Sequence, residues 1–261
     1  EDGRIFYTLN NKGLGPYLAR QGYDVFVPDM KGRGKSAPVV SRKSKYGQHG
    51  VINEEIPFFI EKVRQETGKE KMHWLSHSWG GVMQLSYMAR YGSEGILSLI
   101  TFGSKRQLTV KGLKRNYMIE FGWNGIGRLA VSLLGYLPGK QLGMGAGSET
   151  AWMYNGISKW IKSGSRWVDD IDEFNYGEQL RKVNIPPALY FAGANDPVLG
   201  HPMDVELLMR EAGGAYRKFE LLGKVGGYSR DYGHIDMLTH PEARKEVYPV
   251  ALKWMKEAEK N

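Results

Sequence analysis

The 261-residue chain contains no cysteine, which excludes disulfides, thiolate metal sites and a cysteine nucleophile. It lacks any apolar run near the ~18 residues that a membrane-spanning helix requires. Its opening residues, EDGRIFY, carry no signal-peptide core. No helix-turn-helix, zinc-finger or RRM pattern surrounds its basic residues, so nucleic acid is not an expected partner. No His, Cys, Asp or Glu cluster has metal-ligand spacing, and no metal or other cofactor is expected. The glycine run Lys31 to Ser36 (KGRGKS) lacks the full spacing of a phosphate loop. Internal repeats and low-complexity tracts are also missing. The first residue is Glu1 rather than methionine, which points to a processed or trimmed sequence. The want of cysteine and of a visible leader leans towards the cytoplasm without fixing the compartment.

What is present is ordinary in bulk. Apolar residues make up 41% and charged residues 25%, which argues against disorder and against collagen-like or coiled-coil chains. Glycine is the outlier, at 34 of 261 residues, nearly twice the usual ~7%. Many tight turns or close backbone approaches are therefore expected. The formal net charge is +8 and the pI about 9.4. Basic residues cluster as Lys31/Arg33/Lys35, Arg42/Lys43/Lys45 and Lys111/Lys114/Arg115. Such clusters read first as a solvated surface, and nothing in the sequence supports membrane-surface association beyond charge itself.

Short apolar runs alternate with helical periodicity. Tyr23 to Met30 (YDVFVPDM) reads as a strand, and Asn53 to Thr67 as a helix with an Asn cap and Gly68 as its stop. Lys71 to His77 is a second strand, Gly80 to Tyr91 a helix and Ile96 to Ser104 a third strand. From Gln107 to about Val183 the alternation breaks. That stretch holds Trp123, Trp152, Trp160 and Trp167, with eight glycines between Gly122 and Gly147. Order resumes with a strand at Pro187 to Asn195, a helix from His201 to Ala212, a strand around Tyr216 to Leu222 and a helix from Pro241 to about Glu259. Strands alternating with helices imply an α/β fold, a mostly parallel sheet covered by helices on both faces. The expected organisation is a core of residues 1–106 and 184–261, interrupted by an insertion at 107–183.

The segment LSHSWGG (Leu75 to Gly81) falls where a strand gives way to a helix. A serine there sits on a sharp turn that exposes its hydroxyl and tolerates only small neighbours two residues away. Ser76 and Gly80 hold those places, with His77 and Gly81 completing the elbow. Ser76 stands where the G-x-S-x-G pattern has its first glycine. Ser78 is then either a nucleophile or a helix-capping serine. As a nucleophile it needs a histidine base and an orienting carboxylate. Asp196 follows the strand PALYFAGAN, and His234 follows the last strand in DYGHIDML. Strand C-termini open on one edge of a parallel sheet, so Ser78, Asp196 and His234 are expected to converge. Asp196 could instead be only a turn former before Pro197. His201 and His240 precede prolines at helix boundaries, and His73 and His77 lie in or at the end of a strand, where packed roles fit better. The backbone N–H of Trp79, at the helix start, is a candidate oxyanion donor.

Four segments, YLARQGYDVFVPDMKGRGKS, TGKEKMHWLSHSWGG, YFAGANDPV and YGHIDMLTHPEA, resemble the α/β-hydrolase superfamily. The second and fourth are similar to its acid-lipase and esterase branch. The resemblance implies an α/β-hydrolase fold with a cap or lid at 107–183, and a Ser78–His234–Asp196 triad that hydrolyses a carboxylic ester through an acyl-enzyme. A small-molecule ester with an apolar acyl or aromatic part suits the aromatic, Met-containing insertion. Thioesterase, serine peptidase and carbon–carbon hydrolase remain open, as does a catalytically weak ligand-binding member. Family members usually carry a His-Gly motif after an early strand, with further strands before it, and neither is visible here. EDGRIFYTLNNKG would fall just after that motif, placing the second oxyanion donor N-terminal to Glu1, with GLGPYLARQG as the first crossover helix. Alternatively, Arg4 to Leu9 is the early strand and Asn10 to Gly13 an unusual oxyanion loop.

Overall fold

The computed structural model describes residues 2–260. Four strands form its central sheet: β1 (Met72–His77), β2 (Ile96–Phe102), β5 (Ala188–Gly193) and β6 (Arg217–Leu222). Their spatial order is β1-β2-β5-β6, and every pairing is parallel. β3 (Tyr136–Leu137) and β4 (Glu149–Thr150) form a separate antiparallel pair. The central strands β2 and β5 are buried on both sides, the edge strands β1 and β6 only in part, and the side chains alternate between two cores as a strand's period of two demands. On one face Leu99, Ala188, Tyr190 and Ala192 meet Val82, Leu85 and Met88. On the other, Ile100, Phe102, Leu189 and Phe191 meet Leu14, Leu18, Ala251 and Met255.

The helices supply these two covers. α1 (Leu14–Ala19) and α10 (Tyr248–Ala258) lie over the second face. The first is covered by α3 (Trp79–Tyr91) and α7 (Pro202–Ala212), with Val51, Ile52 and Ile56 of α2, the continuous helical run of residues 48–67. α2 starts earlier than its sequence pattern suggests. Asn53 does not cap it; its side-chain amide donates to His49 O at 2.8 Å, inside a turn already formed. After the short α8 (Asp236–Thr239), the C-terminal helix is likewise not continuous from Pro241, for α9 (Ala243–Glu246) and α10 are separate, with Pro249 in the first turn of α10.

Tyr23–Met30 is extended but belongs to no strand. Its C-terminal end is held by the Asp29 side chain, which accepts from Gly3 N at 2.8 Å and Lys35 N at 3.1 Å. A cavity of about 1300 Å³ lies between this segment and β1, so no ladder closes between them and the strand expected there does not form. Arg4–Leu9 is not a strand either. Gly3–Ile5 is a short helical turn capped by Asp2. The KGRGKS loop wraps the same Asp29 carboxylate: a Cβ at Gly34 would fall 2.0 Å from its Oδ2.

Residues 107–183 fold as helices around the β3–β4 pair. α4 is an unbroken helical run over residues 113–134, wide-turned across Asn116–Gly127. α5 (Ala151–Lys162) and α6 (Tyr176–Leu180) follow. Two arginines tie this stretch to the sheet layers. Arg106, fully buried, donates to Trp160 O at 3.1 Å and Ser163 Oγ at 3.2 Å while ion-pairing with Glu211 of α7. Arg90 of α3 pairs with Asp169 at 3.3 Å and Asp172 at 2.5 Å, and lies 4.2 Å from the Phe174 ring.

Phe191 is fully buried and stacks on Phe102 with ring centroids 4.8 Å apart. Phe191→Ala is expected to cost about 3–5 kcal/mol of stability. A urea titration checks this, and a loss below about 1 kcal/mol would contradict the packing described.

Candidate active site

Ser78 lies between β1 and α3 with φ 55° and ψ −125°, a left-handed conformation strained for a residue with a Cβ. Its N–H donates to Phe102 O at 2.8 Å, anchoring the turn to β2. The elbow is tight. A Cβ on Gly80 would lie 3.3 Å from the Ser76 Cβ, and one on Gly81 only 2.4 Å from Ser104 Oγ. Ser76 is therefore accommodated because Gly80 opposite it has no side chain. The Trp79 N–H, first in α3, has no intrahelical acceptor by position. The Trp79 indole is held by Gln48, whose Oε1 accepts from Nε1 at 2.8 Å.

The structure brings Ser78, Asp196 and His234 together. His234 Nε2 lies 3.0 Å from Ser78 Oγ, and His234 Nδ1 lies 2.6 Å from Asp196 Oδ2. An ionised carboxylate can only accept, so Nδ1 carries the proton and Nε2 presents a lone pair to the Ser78 hydroxyl. Asp196 is buried. Burial alone would raise its pKa, but the His234 bond and backbone amides outweigh it and hold the carboxyl below its ordinary value. Its Oδ1 accepts from Leu199 N at 2.9 Å and Val198 N at 3.2 Å. The turn-forming role and the histidine-orienting geometry thus coexist, one on each oxygen.

Two glycines that the sequence reading did not single out make room for this line. Gly103, just past β2 with φ 61°, would carry a Cβ 2.9 Å from His234 Nδ1; on Gly200, a Cβ would fall 2.8 Å from Asp196 Oδ2. For Gly103 the available signal is a glycine just past the end of a sheet strand. The rival histidines take other work. His201 accepts from Met203 N at the start of α7, His240 accepts from Glu242 N, and His73 bonds Ser98 Oγ at 2.8 Å.

His77 packs against His234 with ring centroids 4.5 Å apart. Its Nε2 lies 2.8 Å from His234 O. A carbonyl only accepts, so the His77 proton sits on Nε2, and Nδ1 is buried without a partner among the described residues. Burial, aided by repulsion from His234, pushes the His77 pKa down to about 3. The imidazole beside the site therefore stays neutral.

The 1300 Å³ cavity reaches this site. Ser78, Trp79 and His234 border it together with Met153, Ile157 and Leu199, and Gly143–Ala146 also line it. A smaller cavity of about 380 Å³, walled by Lys45, His49, Trp152 and Asp169, does not include Ser78. His49, Asp169 and Asp172 bring ligand atoms within 4.8 Å of one another, the one such metal-sized group among the described residues. Arg90 already pairs with both acids, so a cation there would compete with a guanidinium. Asn10–Gly13, the alternative oxyanion loop, does not border the Ser78 cavity. The other expectation, a donor N-terminal to Glu1, lies outside the described residues.

The low His77 pKa has a consequence for stability. Between pH 6.5 and about 3 the unfolded chain takes up a proton at this position that the folded chain refuses. Folding stability contributed by His77 therefore falls as pH drops below 6.5, by up to about 1.4 kcal/mol per pH unit. Denaturant titrations of wild type and His77→Gln between pH 7 and 4 are expected to show a shallower pH dependence in the variant. Parallel curves would remove His77 as the source.

Comparison with known proteins fits this geometry. The model of the alpha/beta hydrolase fold family matches residues 4–208. A "Probable lysophospholipase L2" of Haemophilus influenzae is 25% identical over 177 residues, 67% of this chain and 52% of that protein. A proline iminopeptidase of Lactobacillus delbrueckii subsp. bulgaricus is 33% identical over 82 residues, 31% of this chain. The match spans only 26% of the iminopeptidase's length. Among solved structures, a Paleococcus ferrophilus monoacylglycerol lipase superposes with a TM-score of 0.63 at 14% identity, covering 99% of this chain and 92% of that one. The meta-cleavage product hydrolase of Pseudomonas fluorescens IP01 gives a TM-score of 0.54 at 16% identity, covering 94% and 84%. With its parallel sheet, its serine at the strand-to-helix corner and a family match over most of its length, the chain belongs to the α/β-hydrolase fold family.

Proposed function

We propose that this protein is a serine hydrolase of carboxylic esters that works through an acyl-enzyme. The observation that carries the reading is the hydrogen-bonded line Ser78 Oγ, His234 Nε2, His234 Nδ1, Asp196 Oδ2, at 3.0 and 2.6 Å. Ser78 attacks the ester carbonyl while His234 Nε2 takes its proton, and the imidazolium that forms is stabilised by Asp196. His234 returns the proton to the leaving alcohol. A water then enters, gives a proton to His234 and releases the acid. The Trp79 N–H is placed to donate to the tetrahedral oxyanion.

Substrate class follows from the cavity. The walls beside Ser78 offer Met83, Met153, Ile157, Leu199 and Ile235, which suit an apolar acyl chain or aromatic ester. Gly143–Ala146 and Ser148–Thr150 border the same space, supporting the reading of 107–183 as a cap over the acyl site. Lipase and lysophospholipase names among the relatives and solved structures point the same way. The local likeness to a proline iminopeptidase supports one rival, amide cleavage by the same machinery.

A fluorophosphonate probe is expected to label Ser78 in the wild type and to leave Ser78→Ala unlabelled. A folded wild type that resists labelling would sink the enzyme reading in favour of a ligand-binding member. On a short p-nitrophenyl ester, Asp196→Asn and His234→Ala are each expected to lower kcat by about 10³–10⁴-fold with the fold intact. Near-normal turnover in either would show that the wrong partner has been assigned. A panel of acyl esters from acetate upwards, with proline 2-naphthylamide beside them, separates the classes. Rates that rise with acyl length support the ester reading, and faster cleavage of the amide overturns it.

A further inference from the structure

The helix α4 turns an apolar stripe outward. Leu113, Tyr117, Phe121, Ile126, Leu129 and Leu133 are all exposed, Leu113 at 88%, Leu129 at 61% and Leu133 at 63%. Their spacings of 4, 4, 5, 3 and 4 residues follow the wide turn of Asn116–Gly127 and then the ordinary α-helical turn of Arg128–Leu134. They therefore line up along one side. The Tyr117 and Phe121 rings stack on that side with centroids 5.8 Å apart. The opposite side is the one that packs. Gly127 and Val131 are buried there, Tyr154 and Leu137 lie against Val131, and Trp123 donates to Ser158 Oγ at 2.8 Å. Single exposed apolar residues are unremarkable, but a continuous stripe along one helix marks an interaction surface.

The charge around the stripe identifies what it meets. Between residues 107 and 147 there are five basic residues and one acidic residue, Glu120, a net +4 out of the chain's +8. Glu120 is already paired with Arg115 at 2.5 Å. Lys111 and Lys114 stand exposed at the start of the helix. At its far end Arg42 reaches across to the helix C-terminus, donating to Leu134 O at 3.2 Å, and brings exposed Lys43 and Lys45 with it in sequence. Two of the basic clusters evident in the sequence thus flank the two ends of one apolar stripe. An aqueous protein partner with an apolar groove needs no such flanking charge, whereas an anionic lipid surface answers both features at once.

We propose that α4 docks on an anionic lipid bilayer, its apolar stripe entering the headgroup layer while Lys111, Lys114, Lys43 and Lys45 meet lipid phosphates. The chain leaving α4 leads into Gly143–Ala146, which line the Ser78 cavity. Docking therefore sets that part of the cavity wall close to the lipid. This surface is independent of the chemistry assigned to Ser78, and its test reads binding alone.

The test is co-sedimentation of the whole chain with vesicles of phosphatidylcholine containing a quarter phosphatidylglycerol. The wild type is expected to pellet with these vesicles at low salt, to bind pure phosphatidylcholine vesicles at least about tenfold more weakly, and to be released as salt rises. Leu129→Asp/Leu133→Asp is expected to lose binding about tenfold or more, and so is Lys111→Glu/Lys114→Glu. Val225→Asp removes an equally exposed apolar side chain elsewhere and is expected to bind as the wild type does. Thermal melts of each variant check folding, and the lysine pair, being wholly exposed, keeps the test open if the leucine pair destabilises the helix. Wild type that stays in the supernatant overturns the proposal. So does equal binding by wild type and both α4 variants, or equal loss with Val225→Asp. A dimer seen by sedimentation velocity and dissolved by Leu129→Asp/Leu133→Asp, with no vesicle binding, assigns the stripe to a second copy and also overturns it.

Discussion

Between the last residue of β1 and the first turn of α3 the chain changes from pleat to helix within a single residue, Ser78, which takes φ 55° and ψ −125°. A residue with a Cβ holds such a conformation only where its surroundings leave it no relaxed alternative. Here they do: Phe102 O fixes its amide, Ser76 fills the space above Gly80, and Gly81 lies against Ser104 with no room for a methyl group. The parallel sheet then sets where everything else lies. Because β1, β2, β5 and β6 all run the same way, the residues beyond their ends, Gly103, Asp196 and the loop carrying His234, gather beside that serine. Long-range order in the sheet becomes local order among three side chains.

The electrostatics of the site are layered. Asp196 gives one oxygen to backbone amides and the other to His234, so its charge is spent on fixing both a loop and an imidazole. His77, on the far side of His234, is kept neutral by burial. A second cation against His234 would oppose a positive charge on that ring, and the burial of His77 prevents it. Lys105 is also buried nearby, and burial lowers its pKa, with Asp204 and Asp196 acting in the opposite sense.

Much of the fold could be read from the sequence because the central strands β2 and β5 are short, largely buried apolar runs bounded by turn residues. ALYFAG and ILSLITF announce themselves by composition; Ser78 and Asp196 stand just past the ends of β1 and β5, and His234 in the loop after β6. Other features depend on pairing or packing that no local pattern encodes. YDVFVPDM has the residues of a strand, but a strand also needs a neighbour, and a cavity lies where that neighbour would be. The run 113–134 hides its helix behind Gly122, Gly125 and Gly127, poor helix formers whose wide-turned backbone is supported by Trp123 and Tyr154 packing beneath. Asn53 looks like a cap, yet the helix begins before it because Gln48 is drawn in by Trp79 and Val51 by the core. The roles of Gly103 and Gly200 were hidden because a glycine's function lies in the space it leaves for a distant side chain.

The arginine ties bear on how such a protein can be recombined. Arg90 and Glu211 lie outside residues 107–183, yet each holds a charged partner that belongs to that segment or to the strand end leading into it. A graft of 107–183 onto another core of the same fold would carry Asp169, buried, without its guanidinium. The reciprocal exchange, another cap on this core, would leave Arg106, buried and still paired with Glu211, without the Trp160 and Ser163 oxygens to which it donates. An unpaired buried charge, as Asp169 would be in the graft, costs about 3–5 kcal/mol, a large part of a domain's whole stability. The segment and the core on which it rests are one unit of inheritance, and exchange between relatives is confined to breakpoints that keep Arg90, Arg106 and Glu211 together with the residues they hold.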